Sequence, residues 1–142
     1  MKGKFIINGK EWKNHLMDEA IKKIGRTLVD VAEIDNLLLW MSVGTSDATP
    51  DDTTLTALVA EVGAAAKYSI GSFSINSIFP FDLEVNITIP ADDISASTVL
   101  KEVGVWWGAS GSKELFARAT DATGITVVSA QAVAVKYELN II

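Results

Sequence analysis

The sequence predicts a mainly β protein: an antiparallel β-sandwich with one N-terminal α-helix. Three observations predict it. Apolar and polar residues alternate strictly over residues 83–89 and again over 133–141, the period-two signature of a strand with one buried face. About six strand-like segments recur at similar spacing between Gly-rich turns, as sandwiches do. The one helical pattern precedes the strands instead of alternating with them, which argues against βαβ units. Residues 1–32 read as a hairpin and helix arm, packed on or docking the sheet, and residues 33–142 as the sandwich domain.

Taken in order, Phe5-Ile6-Ile7, Asn8-Gly9 and Lys10-Glu11-Trp12 predict a short hairpin. Asn-Gly favours a two-residue turn because both positions tolerate positive φ. Asn14 is a good N-cap. After it Leu16, Ala20, Ile24 and Leu28 recur every four residues, flanked by Met17, Ile21 and Val31. Asp18 and Glu19 come early and Lys22, Lys23 and Arg26 late, which suits the helix dipole. The pattern predicts a helix over residues 14–32. The apolar run 37–43 predicts a buried strand ending at Gly44. Residues 44–54 are a long polar loop dense in turn formers, of a length that is uncommon unless the loop binds something or is held by a neighbour. Residues 55–61 predict a short helical turn. Residues 68–75 and 78–81 read as extended, Pro90 stops the strand at 83–89, and Asp92-Asp93 falls in a turn. Residues 99–107 and 114–119 predict a hairpin about a turn at 108–112, and 133–141 the last strand.

At 142 residues the chain is one domain's worth. A chain of this size buries roughly 68–70% of its unfolded surface, enough for a core without staples. It has no cysteine, which excludes disulfides, thiol catalysis and cysteine zinc sites. The apolar run after Met1 is three residues long, short of a signal peptide, and no window reaches a membrane span, so a soluble protein with no membrane partner is expected. A net charge of −6 argues against a nucleic-acid partner.

Residues able to carry chemistry are few. His15 is the only histidine, and no Gly-x-Ser-x-Gly accompanies it, so a surface or cap-proximal role is expected. Asp47, Asp51 and Asp52 do not follow the alternate spacing of a calcium loop, and turn duty is the plainer reading of them and of Asp92-Asp93. Gly104, Gly108 and Gly111 follow a strand with no helix after them, and Gly111-Ser112-Lys113 lacks the upstream glycine of a phosphate loop. No catalytic residue, cofactor or metal ion is expected.

Trp106 and Trp107 are adjacent, so on a strand they point to opposite faces. Core packing on both sides, a subunit interface and sugar stacking are the three readings, since interfaces enrich tryptophan. Trp12, Leu16, Asp51, Asp52, Trp106 and Trp107 are the interface candidates. Glu102 and Arg118 fall opposite each other, within a residue or two of register, as a structural cross-strand pair.

Val43-Gly44-Thr45, Pro50, Asp52-Thr53-Thr54-Leu55 and Glu61 are followed by Leu100-Lys101-Glu102-Val103-Gly104-Val105-Trp106, Ser110-Gly111, Leu115-Phe116-Ala117-Arg118-Ala119 and a closing segment at 133–139. In this order, over residues 37 to 141, the segments resemble those of tailed-bacteriophage tail and baseplate-associated structural proteins. Trp106-Trp107 departs from the family's Leu-Phe type of pair, and residues 62–68 lack an arginine common there. The resemblance implies a β-rich virion component, assembled in the host cytoplasm in several copies with other virion proteins, and no catalysis. On this reading the arm at 1–32 is the first choice of docking element and the 45–54 loop with Trp106 and Trp107 the second, and removing residues 1–12 is expected to abolish assembly but not folding. The alternative is a carbohydrate-binding module with a solvent-facing Trp107 and the acidic loop, taking a host glycan.

Overall fold

Among the described residues ten strands follow one another and there is no helix. The computed structural model describes residues 2–17, 39–64, 67–69, 72–76, 81–108 and 113–141. The strands are β1 (Lys2–Ile7), β2 (Lys10–Leu16), β3 (Leu39–Gly44), β4 (Glu61–Val62), β5 (Tyr68–Ser69), β6 (Ser72–Asn76), β7 (Phe81–Ile89), β8 (Val99–Trp107), β9 (Glu114–Thr126) and β10 (Val133–Ile141). Every pairing is antiparallel.

The Asn-Gly turn does what its residues allow. Asn8 has φ 45° and Gly9 φ 83°, the two left-handed positions of a two-residue hairpin. Asn8 is also tied to β10: its N–H donates to Ala134 O at 3.1 Å, and its Oδ1 accepts from Ala134 N at 3.0 Å.

Two antiparallel sheets result. The first runs β6-β7-β10-β1-β2 and the second β2-β9-β8-β3, with β4 and β5 both on the far side of β3. Strand β2 belongs to both. Its residues 10–13 pair with β1, and its residues 14–16 turn to pair with β9. A strand that changes sheet makes a corner of a sandwich.

The main core lies between the two sheets. The alternation read from the sequence puts Val85, Ile87 and Ile89 of β7 and Val133, Val135, Tyr137 and Leu139 of β10 into it. Phe5, Ile7 and Trp12 come from the N-terminal hairpin, and Met41, Val43, Val103, Val105, Trp107 and Phe116 from the second sheet. A string of rings crosses the gap. Trp107 meets Phe116 edge-on at 5.0 Å, Phe116 meets Tyr137 at 6.4 Å, and Tyr137 meets Phe5 at 4.8 Å between centroids. Such tilted pairs suit the ring quadrupole.

Several expectations need correction. The helix expected over 14–32 does not begin at Asn14, because residues 14–16 hydrogen-bond into the ladder with β9; residues 18–32 lie outside the described residues. The hairpin is no separate arm. Strand β1 sits between β10 and β2, so removing residues 1–12 would delete β1 and the start of β2 and is expected to cost folding as well. No helical turn forms at 55–60. The return strand β9 runs to Thr126, well past residue 119. The turn at 109–112 and residues 77–80 lie outside the described residues.

Candidate functional site

The outer face of the second sheet is not open to solvent. Residues 45–60 leave β3, fold back over that face and return to β4. Their ends meet: Thr45 N donates to Ala60 O at 3.0 Å, and Gly44 is in register with Glu61. A compact loop of this size with joined ends is an Ω-loop.

The sheet residues beneath it follow from strand alternation. Trp40, Ser42 and Gly44 come from β3, Glu102, Gly104 and Trp106 from β8, and Leu115 and Arg118 from β9. The register shift between Val105 and Trp106 lets Leu115 and Arg118, three residues apart, share this face and leaves Phe116 and Ala117 both in the main core. Leu58 of the loop packs with Met17, Trp106 and Leu115 in a second apolar cluster, against which Trp40 and Leu55 also rest. Trp106 donates from Nε1 to Ser42 Oγ at 2.7 Å, and the Lys67 ammonium stands 4.2 Å over its ring.

One ion pair fastens the loop. Arg118 Nε and Nη2 donate to Glu102 Oε2 at 3.1 and 3.0 Å, and both side chains are buried. The remaining capacity of the pair goes to loop backbone. Glu102 accepts from Val59 N at 3.1 Å and Ala60 N at 2.6 Å. Arg118 donates to Thr49 O and Ala48 O, each at 3.0 Å. A buried charge needs partners on all sides, and here the loop supplies them. Thr49 takes φ 48°, a conformation a β-branched residue adopts at a cost of about 1–3 kcal/mol. The arginine holds it there.

The loop tip is exposed and acidic, with each acid engaged locally. Asp52 Oδ1 accepts from the Thr54 hydroxyl at 2.6 Å and the Thr54 amide at 2.9 Å. The Thr54 hydroxyl first, then its amide, hold the Asp52 carboxyl below its ordinary range. Asp51 Oδ1 stands 3.3 Å from His15 Nε2, and Asp47 Oδ2 stands 3.6 Å from Lys101 Nζ. Asp52 N closes a turn onto Thr49 O at 3.2 Å, with Pro50 at its second position, where its fixed φ is favoured. Among the described residues, no three histidine, aspartate or glutamate side chains converge as metal ligands would.

The interface candidates divide. Asp51 and Asp52 lie at the loop tip. Leu16 closes β2, in register with Ala117, and its side chain lies outside what the structure describes. Trp12, Trp106 and Trp107 are 1%, 3% and 4% exposed, so none offers a free surface. The two adjacent tryptophans do face opposite ways, Trp107 into the main core and Trp106 under the loop. Core packing on both sides is therefore the arrangement found, and the solvent-facing Trp107 is overturned. Trp107 is buried between the sheets against Phe116, and the Ω-loop gives the outer face at Trp106 an apolar cover from within the same chain.

Sequence reading saw Glu102 and Arg118 as a pair but missed that they hold the loop. The available signals were one charge within each of the apolar stretches 102–107 and 115–119, and the glycines at 44 and 104 that make room beneath the loop.

Fold and site together define a class: a mainly β protein of two antiparallel sheets, with an Ω-loop locked on one outer face. No protein-family model, curated protein or solved structure matches the chain.

Proposed function

We propose that the chain is a non-enzymatic structural subunit of a tailed-phage virion, in a tail, baseplate, neck or fibre-attachment position. It acts by assembling with copies of itself and with other virion proteins. The observation that carries the assembly reading is the unequal treatment of the two sheet edges. On the second sheet, β3 is covered by two strands of two residues each, and a Glu61–Lys67 ion pair of 3.0 Å lies on that rim. The first sheet ends in β6, with the sequence Ser-Phe-Ser-Ile-Asn. That strand carries no charge and no proline, and among the described residues no strand pairs with its far side.

Proteins blunt sheet edges with short strands, charges and prolines, because a bare edge templates another chain. The second sheet uses the first two devices and β6 uses neither. Two copies of β6 paired antiparallel about Ser74 would oppose Phe73 of one to Ile75 of the other and bring no like charges together. The virion part of the proposal rests on the order of segments from residue 37 to 141 described above. The buried charges Glu102 and Arg118 are spent on each other and on the loop backbone, which supports a structural role for them.

The test is the native mass of the purified chain by light scattering, with negative-stain imaging of the same sample. A discrete oligomer, ring or tube is expected. A monomer at every concentration overturns self-assembly.

A further inference from the structure

The Ω-loop and the sandwich are held by different contacts. The apolar side chains of the loop, Leu55 and Leu58, belong to the cluster on the outer face with Trp106, Leu115 and Met17. The main core, on the other side of the sheet, contains none of these five. The loop's two ends are joined to each other at Thr45 and Ala60. Lifting residues 46–59 off the sheet therefore breaks no strand pairing. Segments with their own contacts and a closed neck are the units in which proteins open locally.

What opposes lifting is concentrated on two side chains. The carbonyls of Ala48 and Thr49 and the amides of Val59 and Ala60 all end on the Glu102–Arg118 pair. Around that pair, His15 is the register partner of Arg118 on β2, and Asp51, Asp47 and Lys101 stand at the loop rim. A buried ion pair adds little over apolar residues of the same shape, but it tolerates the loss of a partner badly. It makes the closed position of the loop close to all-or-none. Thr49 adds a bias the other way, since an open loop is free to leave its left-handed φ of 48°.

We infer that Glu102 and Arg118 form a latch, and that loop 45–60 opens and closes as one unit. Opening uncovers Trp106 and Leu115 while the sandwich stays folded. The inference is independent of the assembly reading and holds for a monomer as well as for a subunit.

Hydrogen exchange on the full chain tests it. In the wild type, the amides of Val59 and Ala60 exchange faster than the paired amides of β7 and β10. They do so with little dependence on added denaturant. Glu102→Gln keeps the side chain's size but removes its charge. It raises exchange in the loop on the order of a hundredfold and leaves β7 and β10 unchanged. Leu58→Ala, which leaves the ion pair whole, raises loop exchange at least about tenfold. Loop amides that exchange at the rate of β10 in the wild type overturn the latch, and that comparison stands by itself if a variant fails to fold. A uniform rise across both sheets in Glu102→Gln overturns it as well.

Discussion

Gly44 and Gly104 show how single residues set the outer face of the second sheet. A Cβ on Gly104 would come within 2.9 Å of Leu115 Cδ1 and 3.0 Å of Leu58 Cδ2, so this glycine is the floor on which the loop's leucine rests. A Cβ on Gly44 would meet the Glu102 carboxylate and stand 2.6 Å from the Ala60 carbonyl. The two sites differ in what can yield. Leucine methyls rotate away, whereas a carbonyl in the joined neck of the loop cannot move without breaking the neck. Overpacking costs about 1–3 kcal/mol where side chains must shift. Gly104→Ala is expected to lower unfolding stability by about that amount, and Gly44→Ala by more, both measured by urea denaturation. Equal effects, or a larger one at Gly104, contradict this account. Both glycines were visible in the sequence, but nothing in a single sequence says what crosses above them.

Strands with regular alternation were legible because burial on one face leaves a period-two trace. Strand β10 begins and ends where that trace does, β7 carries it over residues 83–89, and the Asn-Gly hairpin forms as its residues dictate. The end of β9 was not legible. Residues 120–126 include the turn-prone Asp121 and Gly124, yet they continue the strand through an irregular register. Asp121 Oδ1 accepts from Thr123 N at 2.8 Å, and Gly124 takes φ 69°. Local side-chain bonds and one left-handed glycine let a turn-like sequence stay in a ladder. Asp121 also binds Lys10 Nζ at 2.7 Å, and that bond, ahead of the neighbouring amides, lowers its pKa. Glu84 is lowered first by Asn86 and then by Lys136, and Asp52 by Thr54. Lys4 is raised, first by Glu138 and then by Glu11.

These shifts fix the sign of the pH dependence. A carboxyl depressed by folding stabilises the protein above its ordinary value, near 3.8 for Asp and 4.5 for Glu. That contribution is lost as pH falls through the lower folded value. The contribution of Lys4 is complete below its ordinary value near 10.5 and lost as pH rises through the higher folded one. The thermal midpoint is expected to fall on both flanks, to fall less in high salt because these groups lie at the surface, and to lose part of its acid limb in Asp121→Asn. A midpoint that rises as pH drops through the carboxylate range contradicts the assignment.

At the scale of the molecule, the class was legible and the topology was not. Alternation reports which face of a strand is buried but not which strand lies beside it. The pairing of β1 with β10 joins the two ends of the chain, and β2 serves two sheets. Neither leaves a local mark, which is why a central hairpin read as an arm. The tryptophans misled for a related reason. Their opposite directions were correct, but the cover over Trp106 comes from a loop more than forty residues earlier in the chain. Among the described residues β6 is the longest strand with one side unpaired, and the assembly proposal stands on it.

The most direct measurement is the native mass of Ser74→Lys beside that of the wild type, by light scattering at matched concentrations. Ser74 is in register with Glu84, so a lysine there faces an opposite charge within its own chain, while two copies brought edge to edge oppose like charges. The account predicts a wild-type oligomer and a folded variant of lower mass. An unchanged oligomer in a folded Ser74→Lys variant would contradict it.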